Sequence, residues 1–177
     1  FEGYKTALYN EAKPDERRQQ YFSMRHEHNI NATEAYNLLS GRSIQNSGTW
    51  LQLDFNDKEP NGNFRVKQFH FDYGYDLDKA LQQLPLKELL NKGETDSIKE
   101  RLKSGDRISV SFVKDGNEQR FYIEANPQFK SVNIYDEHSR KLTLNTALGN
   151  KTMEAMKVTH KVNEQQQHAR KNGMQIG

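Results

Sequence analysis

A chain of 177 residues fits one domain with extensions and crowds two. Only 33% of residues are apolar, with Leu, Ile, Val and Phe barely above the level where disorder is the default, but the net charge is only +2. That pairing excludes a wholly disordered chain and implies a modest core carrying polar appendages. The absence of cysteine excludes disulfides, thiolate zinc sites and cysteine nucleophiles, and it points to a reducing, cytoplasmic setting.

No apolar run approaches the roughly 20 residues that span a bilayer, so no membrane partner is expected. The chain opens on Phe1 with neither a basic nor an apolar leader region, and the missing initiator Met suggests a piece of a longer protein. Residues 1–20, with the run from Lys13 to Gln20, read as a polar N-terminal tether. Order is expected over residues 21–141, starting with a short strand at Tyr21-Phe22-Ser23-Met24. Asn31-Ala32-Thr33-Glu34 has capping-box spacing ahead of a helix that turns Ala35, Leu38 and Leu39 to one face, and Gly41 stops it.

Leu51, Leu53 and Phe55 alternate with polar neighbours, as a half-buried strand requires, and Phe64 to Phe69 supplies its hairpin partner. Asp76 caps a helix carrying Leu77, Leu81 and Leu84; Pro85 opens a second short turn through Leu89 and Leu90, ended by Gly93. A helix over Thr95 to Lys103 leads to alternating Ile108, Val110 and Phe112. Asp115-Gly116 then favours a tight hairpin because both residues tolerate positive φ. Strands at Gln119 to Glu124 and Ser131 to Tyr135 complete a meander.

Residues 142–177 form a basic C-terminal arm with a weak amphipathic stripe at Met153, Met156, Val158 and Val162. Leu38 to Ile44 parallels Leu102 to Ile108: each closes a helix on Ser-Gly and each precedes a strand, a turn and a strand. The fold class expected is therefore α+β, an antiparallel sheet built from two helix-strand-strand units with helices on one face and polar tails that are helical or disordered. Ser-Gly is also a common helix stop, so chance similarity stays open.

Catalytic chemistry is not legible. His26-x-His28, with His70 as a third ligand, has no recognised metalloenzyme spacing and reads better as a solvated loop pair, so no metal or other cofactor is expected. Asp72-Tyr73-Gly74-Tyr75-Asp76 places two acids and two phenols around a glycine. Asp76 is accounted for as a cap, and Tyr73 and Tyr75 suit either packing or a protein contact. No phosphate loop, nucleophile elbow or nuclease spacing occurs, so neither an enzyme nor a small-molecule substrate is indicated.

Nucleic acid is the expected partner of an outer sheet face bearing Arg65, Lys67, Arg107, Arg120 and Tyr122, together with Lys161, Arg170 and Lys171 of the arm. A solvated face is the competing reading, since Asp54 and Glu124 interrupt the positive charge. Pro127, which denies the ladder an N–H, forces a bulge or turn, after which Phe129 is expected to plug the end of the core, with a ligand-facing loop as the competing reading.

Four strings occur in order across residues 21–140: Glu34 to Arg42, Trp50 to Phe55, Tyr73 to Leu77, and Phe121 to Lys130. As a set they resemble an uncharacterised domain family of Bacteroidetes proteins associated with conjugative transposons and other mobile elements. The resemblance implies a bacterial cytoplasmic setting linked to mobile DNA. The role it implies is a non-enzymatic module contacting nucleic acid or a partner protein of a DNA-processing complex, or else an adaptor with no nucleic-acid contact. It implies no catalytic residues.

Overall fold

The computed structural model describes residues 3–8, 17–23 and 29–149. The chain falls into two units, divided between Lys141 and Leu142. The described part of the second is residues 142–149, with a helical turn at 144–149. The first unit carries the α+β fold. Its elements in order are β1 (Gly3–Leu8), β2 (Arg18–Ser23), α1 (Ala32–Leu39), β3 (Ile44–Asn46), β4 (Thr49–Lys58), β5 (Phe64–Phe69), α2 (Leu77–Gln82), α3 (Lys92–Lys103), β6 (Ile108–Lys114), β7 (Asn117–Asn126) and β8 (Ser131–Tyr135). A two-residue strand, β9 (Lys141–Leu142), follows.

Single 3-10 turns occupy Phe71–Tyr73 and Lys87–Leu90. The strands divide into three antiparallel ladders instead of one sheet: β1-β2, β3-β4-β5 and β6-β7-β8-β9. Each of the two later ladders follows its own helix, α1 or α3. The first helix-strand-strand repeat therefore gains a strand, β3, that its three-residue length hides from alternation.

The local rules behind the elements are visible. Asn31 caps α1 through a full capping box, accepting from the Glu34 N–H at 2.8 Å while Glu34 accepts from the Asn31 N–H at 3.1 Å. Such a cap contributes about 1 kcal/mol. Asp76 caps α2 by accepting from the Lys79 N–H at 3.1 Å. Asp115 and Gly116 take φ values of 53° and 76° in the β6–β7 turn, and Ser47 and Gly48 do the same at 52° and 79° between β3 and β4.

Three expectations change. Residues 3–8 of the supposed tether are β1, paired with β2 from Gly3↔Ser23 to Leu8↔Arg18, because Tyr4 and Leu8 pack against the α1 core. Gly93 ends no helix but lies in the first turn of α3, which Asn91 caps by accepting from the Glu94 N–H. Phe129 plugs nothing. Pro127 is the buried residue of that turn, and Phe129, two positions on, faces solvent.

The core has two parts. Phe22, Ile30, Leu38, Leu39, Ile44, Leu51, Leu53 and Phe64 form one around α1. Leu81, Leu102, Ile108, Val110, Phe121, Ile123 and Ile134 are buried among α2, α3 and the β6-β7-β8-β9 ladder. The two halves meet at the repeated helix ends. Ser40 and Ser104 have the same cap geometry (φ −79° and −77°), followed by Gly41 and Gly105 at φ 93° and 89°.

Matching Schellman bonds run from the Gly41 and Gly105 N–H to Leu38 and Leu102, and from the Arg42 and Asp106 N–H to Asn37 and Arg101. The two ends also touch. The buried Asn37 amide donates to the Ser104 carbonyl at 2.7 Å and to Asp106 Oδ1 at 2.9 Å, and Arg42 Nε donates to the Gly105 carbonyl at 2.9 Å.

Candidate functional site

The cations expected on an outer sheet face lie on two ladders. The β4–β5 register sets Arg65 opposite Asp54 and Lys67 opposite Gln52, on the face away from Leu51 and Leu53. Arg65 pairs with Asp57 at 2.8 Å, and Lys67 donates to Gln128 Oε1 at 3.4 Å. In the other ladder, Ser109 faces Tyr122 and Ser111 faces Arg120, away from Val110 and Phe121. Arg120 donates to Ser109 Oγ at 2.8 Å.

Arg107 reaches Glu124 at 3.3 Å and stacks 3.7 Å from the Tyr135 ring centroid. Glu124 is buried, and it also accepts from the Tyr135 hydroxyl at 2.6 Å and Asn133 at 2.9 Å. Burial, then that bond, pushes the Tyr135 hydroxyl pKa up to about 12. Two of these four cations are thus neutralised by carboxylates, and the other two bind neutral acceptors. Lys161, Arg170 and Lys171 of the arm lie outside the described residues, as do His26, His28 and Met24. Among the described residues no cluster of three metal-ligating side chains occurs, and no helix is long and apolar enough to cross a membrane.

The two tyrosines expected to make a protein contact separate in role. Tyr75 is consumed internally: its ring packs edge-on against buried Trp50 at 5.2 Å, its hydroxyl donates to the Ser131 carbonyl at 2.7 Å, and burial raises its pKa. Tyr73 is half open at 40% exposure. Its ring rests on Phe69 at 5.0 Å, its hydroxyl donates to the Gln128 carbonyl at 2.6 Å, and Lys130 Nζ stands 4.8 Å from its centroid. The 3-10 turn is thereby pinned to the β7–β8 turn.

That pin leaves two large rings outside. Phe71, two residues before Tyr73, is 89% exposed, and Phe129, next to Gln128, is 72% exposed. Backbone geometry accounts for both. Phe71 opens a three-residue 3-10 turn ended by Gly74 at φ 91°, and none of the turn's residues is buried. Phe129 sits inside the reversal closed by the Lys130 N–H donating to the Pro127 carbonyl at 3.1 Å. The tip thus combines Phe71, Tyr73, Phe129, Lys67 and Lys130.

Sequence reasoning misses Phe71 and assigns Phe129 to packing, because neither belongs to an alternating or helical pattern that would show which way it faces. The one available signal was their position beside turn-forming Gly74 and Pro127. No family model, no curated protein and no solved structure matches the chain.

Proposed function

We propose that this chain is a non-enzymatic binding module that meets a partner protein through the aromatic tip of Phe71, Tyr73 and Phe129. The observation that carries the reading is that Phe71 and Phe129, on two chain reversals tied together by the Tyr73–Gln128 bond, are left 89% and 72% exposed. Exposed aromatic side chains on a rigid base make good interface anchors: they present large area and lose little rotamer freedom on contact. The setting we propose is the cytoplasm of a bacterium in association with mobile DNA, with the partner belonging to a DNA-processing complex.

Lys130 beside the Tyr73 ring, and Lys67 reaching Gln128 from β5, favour a second reading, in which bases of single-stranded nucleic acid stack on the tip. A pull-down with the full chain, with and without nuclease, compares the two. Recovery of one protein despite nuclease, lost in the Phe71→Ala/Phe129→Ala variant, is the expected result. Recovery that nuclease abolishes favours the second reading. Recovery unchanged by the double substitution removes the tip from both.

A further inference from the structure

Next to the β3-β4-β5 ladder, two strand edges face each other without backbone pairing. The buried Gln20 side chain of β2 accepts from the Phe64 N–H at 2.8 Å and donates to the Phe64 carbonyl at 3.1 Å. In return the Asn63 side chain accepts from the Tyr21 N–H at 2.9 Å and donates to the Tyr21 carbonyl at 3.3 Å. Two carboxamides thus take the place of a backbone ladder. Strands bridged through side chains stand further apart than the roughly 4.8 Å of backbone-paired neighbours.

Beyond this bridge the two edges enclose a cleft of about 730 Å³. Leu38, Leu51, Leu53, Ile30 and Phe22 supply its apolar lining, and Val66 and Gln68 line its β5 side. Backbone groups alternate in direction along a strand. Because Phe64 points its N–H and C=O outward to Gln20, Val66 and Gln68 point theirs the same way, and neither pair has a partner among the described residues.

We infer that this cleft accepts one extended segment of a partner protein as an added strand beside β5, with apolar residues at alternate positions turned toward the leucines. The occupant follows from the hydrogen-bond pattern. Donor and acceptor repeat every second residue along the β5 edge, roughly 7 Å apart, a spacing matched by another extended backbone. The apolar wall faces polar lining from Glu59, Asn61 and Arg65, and together they select a sequence that alternates apolar and polar residues. This surface uses different residues from the aromatic tip, so the two readings stand or fall separately.

The test uses the full chain and a blocked decapeptide of alternating valine and threonine with a lysine at each end. A second peptide carries N-methyl groups on alternate residues. Amide exchange followed by NMR should show Val66 and Gln68 protected by the first peptide and not by the second. Val66→Pro, which removes an outward N–H from an edge strand, should weaken binding about tenfold, while Phe71→Ala/Phe129→Ala leaves it unchanged.

Equal binding of the methylated peptide overturns the inference, as does unprotected exchange at Val66 and Gln68 under millimolar peptide. Should Val66→Pro fail to fold, the two-peptide comparison on the unaltered chain decides alone.

Discussion

Gly41 and Gly105 end equivalent helices with nearly the same φ, 93° and 89°, yet their surroundings differ. A Cβ built on Gly41 would meet only Phe55 Cε2, at 3.4 Å. One built on Gly105 would stand 2.7 Å from Ile44 Cγ2, 2.8 Å from Asn37 Cβ and 3.2 Å from the Ser43 carbonyl. One glycine is needed for its backbone angle alone. The other is needed for its angle and for the close approach of the first repeat to the second. Similar sequence therefore carries unequal weight, because the contact between the repeats lets the first one's side chains fill the space over Gly105.

Substitutions make this difference measurable. Gly105→Ala combines the left-handed penalty with overpacking and should cost about 3 kcal/mol, lowering the melting temperature by about 10 °C. Asn37→Ala strips donors from the Ser104 carbonyl and Asp106 and an acceptor from Arg42 Nη2, all at a buried position. It should cost about 2 kcal/mol in denaturant unfolding. Gly41→Ala carries the conformational term only, about 1 kcal/mol. Equal losses for the two glycines would show that the close approach at Gly105 has no energetic weight.

In the second repeat Arg107, next to Asp106, is held in the Glu124–Tyr135 cluster, and there the expected effect depends on pH. The folded state raises the Tyr135 pKa to about 12, above the roughly 10 of an unfolded tyrosine. Its contribution is complete below about pH 10 and is lost as pH rises through about 12. Tyr135→Phe should flatten that alkaline loss in a series of melting curves, leaving the part due to Tyr75, whose pKa burial also raises. An unchanged alkaline limb would remove ionisation of the buried, Glu124-bonded Tyr135 hydroxyl as its cause.

Much of the α+β core was legible because its signals are local. Alternation marked Leu51, Leu53 and Phe55 in β4 and Ile108, Val110 and Phe112 in β6, the bounds of β5 and β8 were read to the residue, and Asn31, Asp76 and Asp115-Gly116 each act through bonds or angles set within a few positions. What was hidden depends on distant partners. β1 reads as polar until α1 and Ile30 supply surfaces for Tyr4 and Leu8. β3 is too short to alternate. Division into separate ladders is set by side chains such as Gln20 and Asn63, whose bonds span more than forty positions. At the site, the parity of Arg65, Lys67, Arg120 and Tyr122 was readable, but the carboxylate partners that neutralise Arg65 and Arg107 were not all visible, and Phe71 and Phe129 carry no periodic signal.

The central claim is that the Phe71–Phe129 tip is surplus to folding and serves contact. Thermal unfolding of the Phe71→Ala/Phe129→Ala variant, run beside its partner capture, tests this most directly. The account predicts a melting temperature unchanged from the parent chain, as for exposed substitutions worth less than about 0.5 kcal/mol, together with lost capture. A lowered melting temperature, or capture equal to that of the parent chain, would contradict it.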